Sequence, residues 1–187
     1  ADIVETEGAT PEVKKVIGKK LARVHEEELQ DLQSADAAYT FVLDVEPLDL
    51  DALEALDRLY SASGDAVRLA PILDRRAQAA TEPELKVEYT YRLAQILQDP
   101  IGQLDQAVVR YRSIIEGLDA QHAPSLDALE AIYLEAERWQ ELYDIYQRKL
   151  DIATGDEEQA EIYSRMARLA DQYLGRPDDA VGLLEKV

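Results

Sequence analysis

The chain has 187 residues, 47% of them hydrophobic and 32% charged, which is ample apolar material for a core in a water-exposed protein. Its formal net charge of −19 sets it against phosphate backbones and anionic lipid, so nucleic-acid and membrane-surface roles are disfavoured. Cysteine is absent, which removes disulfides, thiolate metal sites and thiol nucleophiles together.

Helix formers dominate, and turn signals recur about every 15–20 residues, so the chain reads as consecutive helical hairpins. The first runs over 11–48, followed by hairpins at 49–82, 83–121, 122–155 and a shorter one at 156–187. Residues 1–9 read as the tail of a preceding repeat, and the whole as one array, a segment of a longer protein. The Asp-rich stretch Asp44–Asp51 lacks the pattern of a calcium loop and is expected to be a solvated linker. Leu53, Leu56, Leu59 and Tyr60 follow the rhythm of one helix face, which Ser61–Gly64 closes. Asp65 then suits the N-cap of a helix carrying Val67, Leu69, Ile72 and Leu73. Thr81-Glu82-Pro83-Glu84 reads as a capping box with Thr81 at the N-cap, and Thr154-Gly155-Asp156-Glu157 repeats the device. A helix over roughly 83–99 stops at Asp99-Pro100-Ile101-Gly102, and the next runs over roughly 103–118.

The chain repeats itself. Residues 52–114 return without a gap as 125–187, a shift of about 73 residues. Leu53, Leu56 and Tyr60 return as Leu126, Leu129 and Tyr133; Arg75 and Arg92 return as Arg148 and Arg165. The opening segment joins at a shift of about 72: Ala35 and Tyr39 match Ala107 and Tyr111.

Catalytic motifs are missing. His25 and His122 lie in different hairpins and read as surface histidines, too few for a zinc site. No glycine-rich phosphate cradle and no G-x-S-x-G elbow occurs. No enzyme activity, cofactor or metal is expected. The recurring Arg92 and Arg165 each follow a glutamate by four residues, the favourable order for a helical ion pair. Tyr60, Tyr111, Tyr133 and Tyr146 belong to packing stripes, whereas Tyr91 and Tyr143 fall outside them and read as exposed contact positions. Trp139 has no counterpart in the sister copy, where Ala66 stands, and is either local packing or an interaction anchor.

The hairpins resemble tetratricopeptide repeats. Small Ala35, aromatic Tyr39 and Pro47 match the family's second-helix spacing, and Ala107 with Tyr111 matches again, although Asp119 stands at the proline position. Leu56 with Tyr60, and Leu129 with Tyr133, match first-helix positions. Leu53 and Leu126 replace the family's tryptophan, and Leu69 and Leu142 its small second-helix residue, so these units are divergent. A Sel1-like or HEAT-like array is the alternative.

The resemblance implies an all-α, right-handed superhelix of about five hairpins and ten helices, whose first helices line a concave groove. Carried over by register, and joined by the aromatic candidates, the positions for partner binding are Lys19, Arg23, Arg58, Tyr91, Gln95, Trp139, Tyr143 and Arg168. The implied function is a non-catalytic scaffold that recruits a protein or peptide partner. A structural spacer, or an acidic surface that engages a basic protein, is the alternative. Nucleic acid and membrane insertion are not expected. The compartment is left open, with a soluble, cytoplasmic setting slightly favoured.

Overall fold

A computed structural model describes residues 9–187; the expected tail at 1–9 therefore lies, apart from Ala9, outside the described residues. The chain divides into two compact units, Ala1–Gln103 and Leu104–Val187. Among the described residues the only regular structure is helical.

The first unit holds α1 (Pro11–Arg23), α2 (Leu32–Val45), α3 (Leu50–Ser63), α4 (Ala66–Ala79) and α5 (Pro83–Gln98). Each helix packs against the next in sequence, because short connections return the chain along its predecessor. The local chemistry explains the boundaries. Thr10 caps α1 by accepting the Val13 N–H at 3.4 Å, and Pro11 occupies the first turn, where no donor is needed. Asp65 caps α4 by accepting the Arg68 N–H at 3.0 Å. Gly64 ends α3 at φ 69°, a left-handed conformation that suits glycine.

The second unit holds α6 (Leu104–Ser113), α7 (Ala123–Glu135), α8 (Trp139–Ile152), α9 (Asp156–Gln172) and α10 (Pro177–Leu184). Here too, from α6 onward, successive helices up to α10 pack on each other. α1 and α6 each run on into a five-residue π-helical stretch, Val24–Glu28 and Ile114–Leu118. The expected helix over 103–118 is thus one continuous rod that widens over its last turn.

Leu, Ile, Val, Ala and Tyr make the core, as the composition requires. Leu53, Leu56, Leu73 and Val42 are buried in the first unit; Leu126, Leu129, Leu142 and Ile114 are buried in the second. Tyr60, Tyr111, Tyr133 and Tyr146 are buried too, in agreement with their place on the periodic stripes. Gly18 lets α1 approach α2 closely: a Cβ there would meet Val42 Cγ2 at 2.8 Å and Phe41 Cδ1 at 3.2 Å.

Three expectations change. Thr81 is not an N-cap: α5 begins at Pro83 after Glu82, and Thr81 Oγ1 donates to the Glu82 carboxylate at 3.0 Å. Gly155 takes the N-cap of α9, while Glu158, not Glu157, accepts a backbone N–H, that of Thr154, at 3.3 Å. The 44–51 linker is only partly solvated, because Asp49 is buried, caps α3 by accepting the Ala52 N–H and pairs with Lys19 at 2.6 Å.

Candidate partner-binding hollow and the ionic nodes beneath it

The first helices α1 and α3 face each other across a hollow of about 240 Å³ in the first unit. It brings together Lys19 and Arg23 from α1, Glu26 and Glu27 from the π-helical stretch, and Asp51, Glu54 and Arg58 from α3. Tyr39 and Ala55 form its floor. Three of the predicted partner-binding residues, Lys19, Arg23 and Arg58, therefore share one site.

Its wall is preorganised by ion pairs. Lys19 Nζ lies 2.6 Å from Asp49 and 2.8 Å from Asp51. Burial pulls the Lys19 ammonium down, but the bonds to Asp49 and Asp51 outweigh it and hold its pKa above the ordinary lysine value. The Asp51 carboxyl is lowered in turn, by the Lys19 hydrogen bond and charge. Opposite, Glu26 accepts the Tyr39 hydroxyl at 3.0 Å and pairs with Arg58 at 2.6 Å. Burial and the bond to Glu26 push the Tyr39 phenol up to about 12, so it stays a neutral donor. Arg23 makes no ion pair among the described residues and stands exposed at the rim.

The remaining candidates are dispersed. Gln95 is exposed and lines a second hollow of about 350 Å³ in the same unit, with Tyr60, Leu69 and Arg92. Tyr91 is half-buried on α5, and Arg168 is exposed on α9. Trp139 is half-buried and makes a local packing contact, stacking on Tyr173 with ring centroids 4.1 Å apart. Tyr143 is corrected: it is buried, not exposed, because Leu142, Ile145 and Tyr146 extend the apolar stripe around it and the Arg176 guanidinium sits 6.0 Å above its ring.

Sequence reasoning missed the residues that tie neighbouring hairpins. Asp57 on α3 is buried and accepts from Arg92 on α5 in a two-point bond, at 2.6 and 2.9 Å. It also pairs with Arg76 on α4 and accepts the Ser61 hydroxyl at 3.0 Å. Arg76 in turn donates to the Tyr89 hydroxyl at 2.7 Å and covers that ring. Burial pushes the Asp57 carboxyl up, but Arg92, Ser61 and Arg76 outweigh it and hold the acid below its usual range.

The second unit repeats the arrangement one period on. Glu130 on α7 pairs with Lys149 on α8 and, at 2.8 Å, with Arg165 on α9, and accepts the Tyr146 hydroxyl at 3.0 Å. The expected helical pair of Arg165 with Glu161 forms, at 2.5 Å. Its first-unit counterpart, Arg92, turns instead to the acid of the neighbouring hairpin. The signal was available: Asp57 with Arg76 and Glu130 with Lys149 occupy equivalent positions of the repeat, acid for acid and base for base.

The histidines are structural in part. His122 caps α7 by accepting the Ser125 N–H at 3.3 Å. His25 is half-buried rather than on the surface, its Nδ1 buried without a hydrogen bond and 3.9 Å from Asp31. Among the described residues no group of three or more His, Cys, Asp or Glu side chains is placed to hold a metal ion. No helix of those residues is long and apolar enough to cross a membrane.

Comparison with known proteins agrees with this geometry at one repeat. No curated protein sequence matches the chain. Among solved structures, a crystal structure of the MamA protein aligns at 18% identity over 92% of this chain and 89% of that one, with a TM-score of 0.49. A second MamA structure aligns at 20% identity over 91% of each chain, also at 0.49. Residues 125–160, which span α7, α8 and the start of α9, match the family model of the tetratricopeptide repeat. Residues 125–160 are thus similar to a tetratricopeptide repeat, and the described residues of each unit form successive packed helices.

Proposed function

We propose that this chain is a non-catalytic scaffold segment that recruits a protein partner, and that the hollow between α1 and α3 receives part of that partner. The carrying observation is the convergence of Lys19, Arg23, Asp51, Glu54 and Arg58 from two first helices into one open, charged concavity. Its cations and carboxylates are mixed, so it suits a segment bearing both signs rather than a bare carboxylate terminus. Charged, fixed walls of this kind confer selectivity more than raw affinity.

The test uses the full chain with a photo-cross-linking residue at Glu54, beside the Arg23→Glu/Arg58→Glu variant. The expected outcome is a defined cross-linked protein whose capture falls at least about fivefold in the variant, the loss of roughly 1 kcal/mol that a real contact carries. Equal capture of the same protein by both forms overturns the assignment of the hollow.

The net charge of −19 favours a second reading, in which the acidic surface engages a basic protein. That reading requires capture to weaken steeply as salt rises through physiological strength. A flat response between low and high salt removes it.

A further inference from the structure

The hollow of about 350 Å³ in the first unit lies among α3, α4 and α5, and most of its lining is apolar: Tyr60, Leu69, Leu73 and Ile96, with Ala66 and Pro100. A shift of about 73 residues carries Tyr60, Leu69 and Ile96 to Tyr133, Leu142 and Leu169 in the second unit, so much of that lining is kept. Two positions differ in kind. Ala66 becomes Trp139 and Pro100 becomes Tyr173, and there the two rings stack with centroids 4.1 Å apart. Burial differs in the same sense: Leu169 is 5% exposed, whereas Ile96 is half-buried.

The second unit therefore displays what this position accepts, a planar aromatic ring supplied by its own two hairpins. In the first unit an alanine and a proline leave the position open. Both lie well inside the chain, with α3, α4 and α5 all present around them, so the opening comes from the choice of residues and not from where the sequence stops. Its size suits a bicyclic ring, since an apolar cavity of about 150 Å³ already holds benzene. Its polar groups suit an indole. Arg92, fixed by its two-point bond to Asp57, brings a guanidinium, which is attracted to an aromatic face. Gln95 stands where the second unit has Arg168. An amide oxygen can accept an indole N–H, whereas a guanidinium cannot. The sequence holds a single tryptophan, Trp139, which is already stacked, so none of its residues supplies this indole.

We infer that the hollow lined by Ala66 and Pro100 is a binding site for an indole ring, presented as a tryptophan side chain by a protein partner. The bound ring would take the place that Trp139 occupies in the second unit, and tryptophan is the residue most apt to anchor an interface in this way. This hollow shares no lining residue with the one between α1 and α3, so the two readings stand or fall independently.

The probe is N-acetyl-5-fluorotryptophan amide, titrated with the full chain and followed by fluorine NMR, which leaves Trp139 silent. Saturable binding is expected. Ala66→Trp/Pro100→Tyr transplants the aromatic pair of the second unit and should weaken binding at least about tenfold. Ala66→Trp alone, which spares Pro100, should do the same, and circular dichroism verifies that each variant keeps its helices. In competition, N-acetyl-leucine amide should displace the probe at least about fivefold less well than N-acetyl-tryptophan amide, and free indole no better than that amide. Arg23→Glu/Arg58→Glu should bind the probe as the parent does, which separates failure here from failure of the other hollow. Absence of saturable binding to the parent, or undiminished binding by a folded Ala66→Trp variant, overturns the inference. Equal competition by the leucine amide overturns the aromatic assignment, and tighter binding of free indole overturns the side-chain source in favour of a small metabolite.

Discussion

Asp57 is the residue on which most local structure converges, since one buried carboxylate joins α3, α4 and α5 through Arg76 and Arg92. Asp57→Ala leaves two guanidinium groups facing each other without a counter-charge. The expected destabilisation is about 2 kcal/mol, moderated because both arginines keep part of their hydration, and denaturant unfolding measures it. The pH dependence has a definite sign. A carboxyl held below its unfolded pKa contributes stability that is complete above that value and is lost as pH falls through the folded one. The Tm difference between the parent and Asp57→Asn should therefore be full at neutral pH and shrink only below about pH 4. A gap that persists unchanged into strong acid would show that Asp57 does not fold in its charged, paired form. Gly18 is constrained by space rather than charge. Gly18→Leu must displace Val42 and Phe41, and is expected to cost about 1–3 kcal/mol by overpacking.

At the scale of the element, helix starts differ in what holds them. Asp65→Ala removes the bond to the Arg68 N–H and should cost about 1 kcal/mol, read as a lowered Tm. Glu82→Ala should change Tm little, because Glu82 makes no side-chain cap bond to α5. This contrast also marks what the sequence made legible. The hairpins, the closure of α3 at Gly64 and the cap at Asp65 were readable because each depends on neighbours within one turn. The capping box at Thr81 misled, since Pro83 starts α5 one residue later than that motif requires. The hollow was half legible: register alone pointed to Lys19, Arg23 and Arg58, but Glu26 and Glu27 arrive from a π-helical turn that no local pattern announced. Tyr143 was misplaced for a similar reason, because the group that covers it, Arg176, comes from beyond α9. Contacts made across hairpins escape a reading along one helix, except where the repeat doubles them, as at Asp57 and Glu130.

Across the whole molecule, the charge of −19 governs behaviour in solution more than any single pair. Turbidity against pH should peak near the isoelectric point of about 4.4, where mutual repulsion vanishes, and clear again on either side. A clear solution at that pH would mean that local patches, not net charge, keep the chains apart. The two ionic nodes also differ in a complementary way. The first couples a short acid, Asp57, to a long base, Arg76; the second couples a long acid, Glu130, to a shorter base, Lys149. Trading entire hairpins between the halves would carry each matched couple intact. A chimera that crosses over between α3 and α4 would mate Asp57 with a lysine whose ammonium falls short of it, so the natural seams for recombining this protein lie between hairpins and never within one.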